Sequence, residues 1–196
     1  MVGLTRKESE VLIKLFKDFS RDYNANSLSK EVDLSARGTL KILKKLEKER
    51  FVIGKKLGKA VFYRLDLNEL YVRKIIEALL IGESLEKAQR WVDEFRPVFK
   101  HAKIVIIFGS IVKNPKNAND IDVLFVFNKG NYKKIAEFIQ EKNKILYKKI
   151  HDIPQTMADL KENLKKNDAI KDAVRTGYVL HGHDKIIEVI RDVSGV

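Results

Sequence analysis

The 196-residue chain contains no cysteine, so no disulfide staples it and no thiolate can hold a metal. It also lacks a long hydrophobic run. No apolar stretch approaches the ~20 residues that a membrane helix needs, and the opening MVGLTRKESE has no apolar signal-like core. A cytoplasmic protein with no membrane partner is therefore expected. Acidic groups are in the minority, 27 against 39 Lys and Arg, which leaves a formal charge of +12 and a pI near 9.7. Polyanions are the natural partners of so basic a surface. Abundant Lys and Glu without Cys also lean toward a thermophile's composition.

What is present suggests two small cores rather than one, since 44% hydrophobic content can fill either. An apolar helical face at Val11, Leu12, Ile13, Leu15, Phe16 and Phe19 predicts a helix over residues 6–20. After a polar break at 21–26, Ser27 is the expected cap of a short helix through Val32. Ser35 is the expected cap of a longer one to about Glu49. Two helices joined by a tight turn, the second longer, match a helix-turn-helix. Phe51-Val52-Ile53 and residues 60–65 then flank Gly58 as a predicted hairpin.

The positive charge concentrates here. Ten basic side chains between Arg37 and Arg64 face only Glu47 and Glu49, a net of +8. On a helical wheel Arg37, Lys41, Lys44, Lys45 and Lys48 share one arc, opposite Ile42, Leu43 and Leu46. Lys55, Lys56 and Lys59 repeat the charge near the hairpin tip. These eight are expected to grip phosphates of double-stranded DNA, whereas Ser35, Arg37 and Thr39 near the helix start suit base edges. Residues 4–66 resemble the winged-helix DNA-binding domains of bacterial and archaeal regulators. Such proteins read two half-sites as dimers, so a homodimer is an expected state.

A helix over residues 68–81 is expected next, interrupted at Gly82, with Ser84 capping a second helix that Pro97 halts. The expected boundaries are a winged helix at 1–67, a linker or dimerisation helix at 68–83, and a second domain at 84–196.

In that second domain, Gly109-Ser110 follows an apolar strand. Nine residues later Asp120-Ile121-Asp122 opens another, IDVLFVF. Carboxylates at i and i+2 on a strand point to one face, and a glycine turn lets bare backbone N–H groups approach a phosphate. Together they read as a metal-nucleotide site.

This order resembles the signature of the DNA polymerase beta nucleotidyltransferase superfamily, most closely its minimal-nucleotidyltransferase branch, over roughly the last hundred residues. The resemblance implies an α+β chain in which the winged helix precedes an α/β nucleotidyltransferase domain with a mixed sheet. It implies Asp120 and Asp122 as catalytic ligands of Mg2+ or Mn2+, a nucleoside triphosphate as substrate, and Gly109 and Ser110 on its phosphates. Lys113 is a further phosphate candidate. Active relatives supply a third carboxylate from a later strand. Residues 145–153 (ILYKKIHDI) should be that strand, yet its only acidic residue is Asp152, beside His151. Asn119 and Ile111 stand where relatives often place Ser and Arg. Weak or absent transfer to generic small acceptors is the expectation. Three readings stay open: nucleotidyl transfer coupled to DNA binding, a regulator whose transferase fold has lost catalysis, and an antitoxin that adenylylates a toxin or other protein. His181 and His183 alternate on a strand or turn, a weak zinc pattern without a third ligand.

Overall fold

The computed structural model describes residues 3–195 of the chain. It divides into two compact units, Leu80–Val193 and the residues outside that span.

In the first unit, Thr5 caps α1 (Arg6–Lys17) in a reciprocal capping box with Glu8. The helix stops three residues before the predicted end. Asn24, not Ser27, caps α2 (Ala25–Glu31), and Ser27 takes the third helical position, where its hydroxyl accepts the Asn24 N–H at 3.0 Å. Either residue type can cap, and the sequence did not decide between them. Ser35 does cap α3 (Ala36–Lys48), accepting the Gly38 N–H at 3.1 Å. Strands β1 (Val52–Leu57) and β2 (Ala60–Leu65) pair antiparallel around Gly58, whose φ of 60° suits the tight loop. Tyr23 adds a one-residue bridge to β2, its carbonyl accepting the Tyr63 N–H at 2.8 Å. Leu12, Phe16, Tyr23, Leu28, Leu43, Leu46 and Phe51 are fully or almost fully buried. Three helices, a hairpin and this bridge make a winged helix.

Helix α4 (Leu70–Phe95) runs through Gly82, contrary to the break expected there, and its two helical stretches meet instead at a kink further along. Its one non-helical residue is Ala88 (φ −137°, ψ 20°). Glycine inside a helix costs only about 1 kcal/mol, which flanking Ile and Leu positions offset. Ser84 is not a cap; its hydroxyl donates back to the Ile81 carbonyl at 2.9 Å. The unit boundary falls within this helix, after Leu79.

The second unit is built on a four-stranded mixed sheet of order β5-β4-β3-β6. Its strands are β3 (Ile104–Phe108), β4 (Asp120–Val126), β5 (Lys149–Gln155) and β6 (Tyr178–His181). Strand β3 is antiparallel to β4 and β6, and β4 is parallel to β5. The helices are α5 (Ser110–Lys113), α6 (Tyr132–Ile145), α7 (Met157–Lys166), α8 (Asp168–Thr176) and α9 (His183–Ser194). One sheet face, with Val105, Ile107, Ile121, Val123 and Phe125, packs on Val92 and Phe95 of α4 and Ile135 and Ile139 of α6. On the other, α8 lies against β3 and α7 against β5. Strand β5 begins four residues later than predicted because Ile145 still belongs to α6. It also runs past Pro154, which an edge strand tolerates since the missing N–H costs it no ladder bond.

Candidate functional site

Strand parity and register build the site. Phe108 at the end of β3 faces Asp122 on β4, so the turn that follows β3 lies over the Asp122 side chain. There Gly109 takes φ 76° and ψ −151°, a region open essentially only to glycine. A Cβ at Gly109 would collide with Asp122 Oδ2, so glycine is what lets the turn close on the carboxylate. Asp120 and Asp122 are half-buried at the entry of β4 and share one face. Ser110 and Lys113, the other expected phosphate contacts, are exposed on α5 beside the turn.

The third member was not expected from the sequence. In the parallel β4–β5 ladder Asp122 is level with His151, and Val123 with Asp152. His151 Nδ1 therefore lies 3.1 Å from Asp122 Oδ1, with the His151 side chain 70% exposed. One ligand atom each from Asp120, Asp122 and His151 fall within 4.8 Å of one another, the only group of three such side chains among the described residues. Asp152 points the opposite way and lines a cleft with Ile139, Gln140, Asn143 and Lys144 of α6. It does not complete the pair. Alternation along β5 would have separated His151 from Asp152, but only the register says which of them joins Asp122.

Lys148, also unremarked in the sequence, donates to the carbonyls of Pro115 (3.1 Å) and Ala118. It ties the segment ahead of Asp120 to the start of β5. Two carboxylate oxygens and an imidazole nitrogen converging in a partly open notch suit a divalent cation.

On the winged helix, Ser35, Arg37, Leu40, Lys41 and Lys44 line one open groove along α3. Lys48, Lys55, Lys56 and Lys59 are exposed. One expected contact is corrected. Thr39 is fully buried, because its position on α3 falls on the core side of the wheel, and it cannot reach a base edge. Lys45 is already paired, its Nζ 2.8 Å from Glu8 Oε1 on α1, so part of its charge is neutralised within the fold. The Ser35 hydroxyl is engaged as the helix cap.

His181 and His183 form no group of three possible ligands among the described residues. His181 stacks on Phe99 with ring centroids 4.7 Å apart, and burial holds its pKa below the usual histidine value.

Fold and cluster define a winged helix joined to a sheet of the nucleotidyltransferase type. Residues 92–176 match the family described as nucleotidyltransferase domain, a span that holds the Gly109 turn, Asp120, Asp122 and His151. No curated protein matches the chain. Among solved structures it is similar to a mutant of Lactococcus lactis ZitR, at 19% identity over 48% of this chain, with a TM-score of 0.37. The match spans 64% of that chain, under two thirds of its length. A second ZitR structure, described as a zinc-responsive MarR family member, has 16% identity over 73% of this chain and 76% of that one (TM-score 0.35). The adhesin competence repressor AdcR of Streptococcus pyogenes has 19% identity over 50% of this chain and 80% of its own (TM-score 0.33).

Proposed function

We infer that the chain is a DNA-binding nucleotidyltransferase that moves a nucleoside monophosphate from a triphosphate to an acceptor. The observation that carries this is the Gly109 turn closing on Asp122, within a span that matches the nucleotidyltransferase domain. When bound, a divalent cation such as Mg2+ or Mn2+ neutralises phosphate charge and lowers the pKa of an attacking hydroxyl. Asp120 and Asp122 would hold it. The amides of Gly109 and Ser110, bare of side-chain bulk at the turn, would take the outer phosphates, with Lys113 as an added positive charge. On the winged helix, Arg37, Lys41, Lys44, Lys48 and the wing lysines would neutralise DNA phosphates. Two copies on a palindromic site fit that use.

One observation favours a second reading, a regulator that binds nucleotide without turnover. Asp152 faces α6, and among the described residues the third group beside Asp120 and Asp122 is His151 and not a carboxylate. Incubation with α-labelled ATP and Mg2+ or Mn2+, with and without DNA or cell extract, separates the two. Labelling that Asp120→Asn with Asp122→Asn abolishes supports transfer; nucleotide binding without labelling supports the regulator.

A further inference from the structure

The Asp120–Asp122–His151 cluster differs from an all-carboxylate site in one donor, and that donor changes which cation the site suits. We propose that His151 is a direct metal ligand and that it turns the site from Mg2+ toward first-row transition dications of the Mn2+, Co2+ and Zn2+ type. This rests on reading the same site as a metal-nucleotide site.

Three observations support it. First, the separation fits: a cation held at about 2.1 Å in octahedral geometry sets adjacent ligand atoms about 3 Å apart. His151 Nδ1 and Asp122 Oδ1 are 3.1 Å apart. That spacing also fits a hydrogen bond, and the tautomer with its proton on Nε2 leaves a lone pair on Nδ1 for an ion. Second, the register is enforced by the backbone. Asp122 and His151 are level in a ladder paired from Asp120↔Lys149 to Val126↔Gln155, so the imidazole does not rely on a mobile loop to arrive. Third, the alternative carboxylate is unavailable, because Asp152 projects to the α6 side of the sheet.

The chemistry then follows from ligand type. Mg2+ is a hard ion that strongly prefers oxygen and keeps its waters. Imidazole nitrogen suits the later first-row ions, whose affinity rises from Mn2+ through Co2+. His151 is mostly exposed, so it can turn toward an incoming ion without unpacking the core.

Calorimetric titration of the full chain with Co2+ and with Mg2+ tests this, each alone and with the non-cleavable α,β-methylene analogue of ATP. Co2+ absorption bands are recorded in parallel. Wild type should bind Co2+ more tightly than Mg2+. His151→Ala should lose at least about tenfold of the Co2+ affinity, while Mg2+ affinity changes less than about threefold. It should also shift the Co2+ bands, as loss of a nitrogen ligand requires. His151→Asp should raise Mg2+ affinity and narrow the Co2+ to Mg2+ ratio. A ratio and spectrum unchanged across the three forms would overturn the proposal. If in addition Asp120→Asn with Asp122→Asn leaves binding of both ions intact, or if wild type binds neither, the metal-nucleotide reading itself fails. Loss of binding in that double variant with indifference to His151 refutes only the role of His151.

Discussion

At Gly109 the main chain sits where an L-residue is strained by about 1–3 kcal/mol, and any Cβ would collide with Asp122. Gly109→Ala should therefore lower stability by at least that amount and push the carboxylate aside. Urea unfolding with a divalent-cation titration checks both effects; a variant as stable and as competent for cations as wild type would refute the turn geometry. Glu8 offers a second test on the winged helix. Burial pushes its carboxyl up, but hydrogen bonds from Lys45 and the Thr5 backbone outweigh this and hold it below the ordinary value. A lowered folded pKa contributes stability in full above the unfolded value of about 4.3, lost as pH falls through the folded one. Glu8→Gln should cost up to about 1 kcal/mol at pH 7 through loss of the ion pair with Lys45, since glutamine can still close the capping box, with the gap to wild type closing below about pH 4. Denaturant midpoints across pH 3–7 measure it. Residues differ in how openly sequence shows them. Asp120 and Asp122 are legible because their relation is local, two positions apart on one strand. His151 is not, since its partnership with Asp122 is a matter of register between strands 29 positions apart in the chain.

Elements were easier to read than the joints between them. The α3 cap, its apolar side and the presence of the hairpin follow from local chemistry, which is why Ser35 and Gly58 were legible. Gly82 misled because glycine is weak evidence of a helix end; nothing lies within 4 Å of where its Cβ would be. Since α4 is continuous there, Gly82→Ala should stabilise the chain by up to about 1 kcal/mol, seen as a higher denaturation midpoint. A destabilised variant would mean that the helix breaks at Gly82 after all. On α3, the wheel separated basic from apolar sides, and it puts Thr39 between Leu46 and Leu43 in the apolar arc, so its burial was legible there although its hydroxyl drew it among the base contacts. Replacing Lys41, Lys44 and Lys48 together with Ala should weaken binding to any duplex and flatten the salt dependence by up to ~0.9 per lost phosphate contact. Lys45→Ala should do less than Lys41→Ala, because Glu8 already holds the Lys45 ammonium. Gel shifts across a salt series distinguish these outcomes.

For the whole molecule, the proposed function calls for two polyanionic ligands, duplex DNA on a chain of net charge +12 and a triphosphate carried by a cation at the single Asp-Asp-His cluster among the described residues. No helix among the described residues is long and apolar enough to cross a membrane. The acceptor is not written in any one segment, because it would be recognised by surfaces around the site rather than by the motif that holds the nucleotide. In the proposed function Asp120 and Asp122 bind a nucleotide through a divalent cation, and thermal unfolding reads this directly. A ligand that binds the native state raises Tm by mass action. ATP should raise Tm only when a divalent cation is present, and Asp120→Asn with Asp122→Asn should abolish the shift, since two neutral amides cannot replace two anionic ligands. A shift that persists without the cation, or survives the double substitution, would place the nucleotide elsewhere and contradict the account.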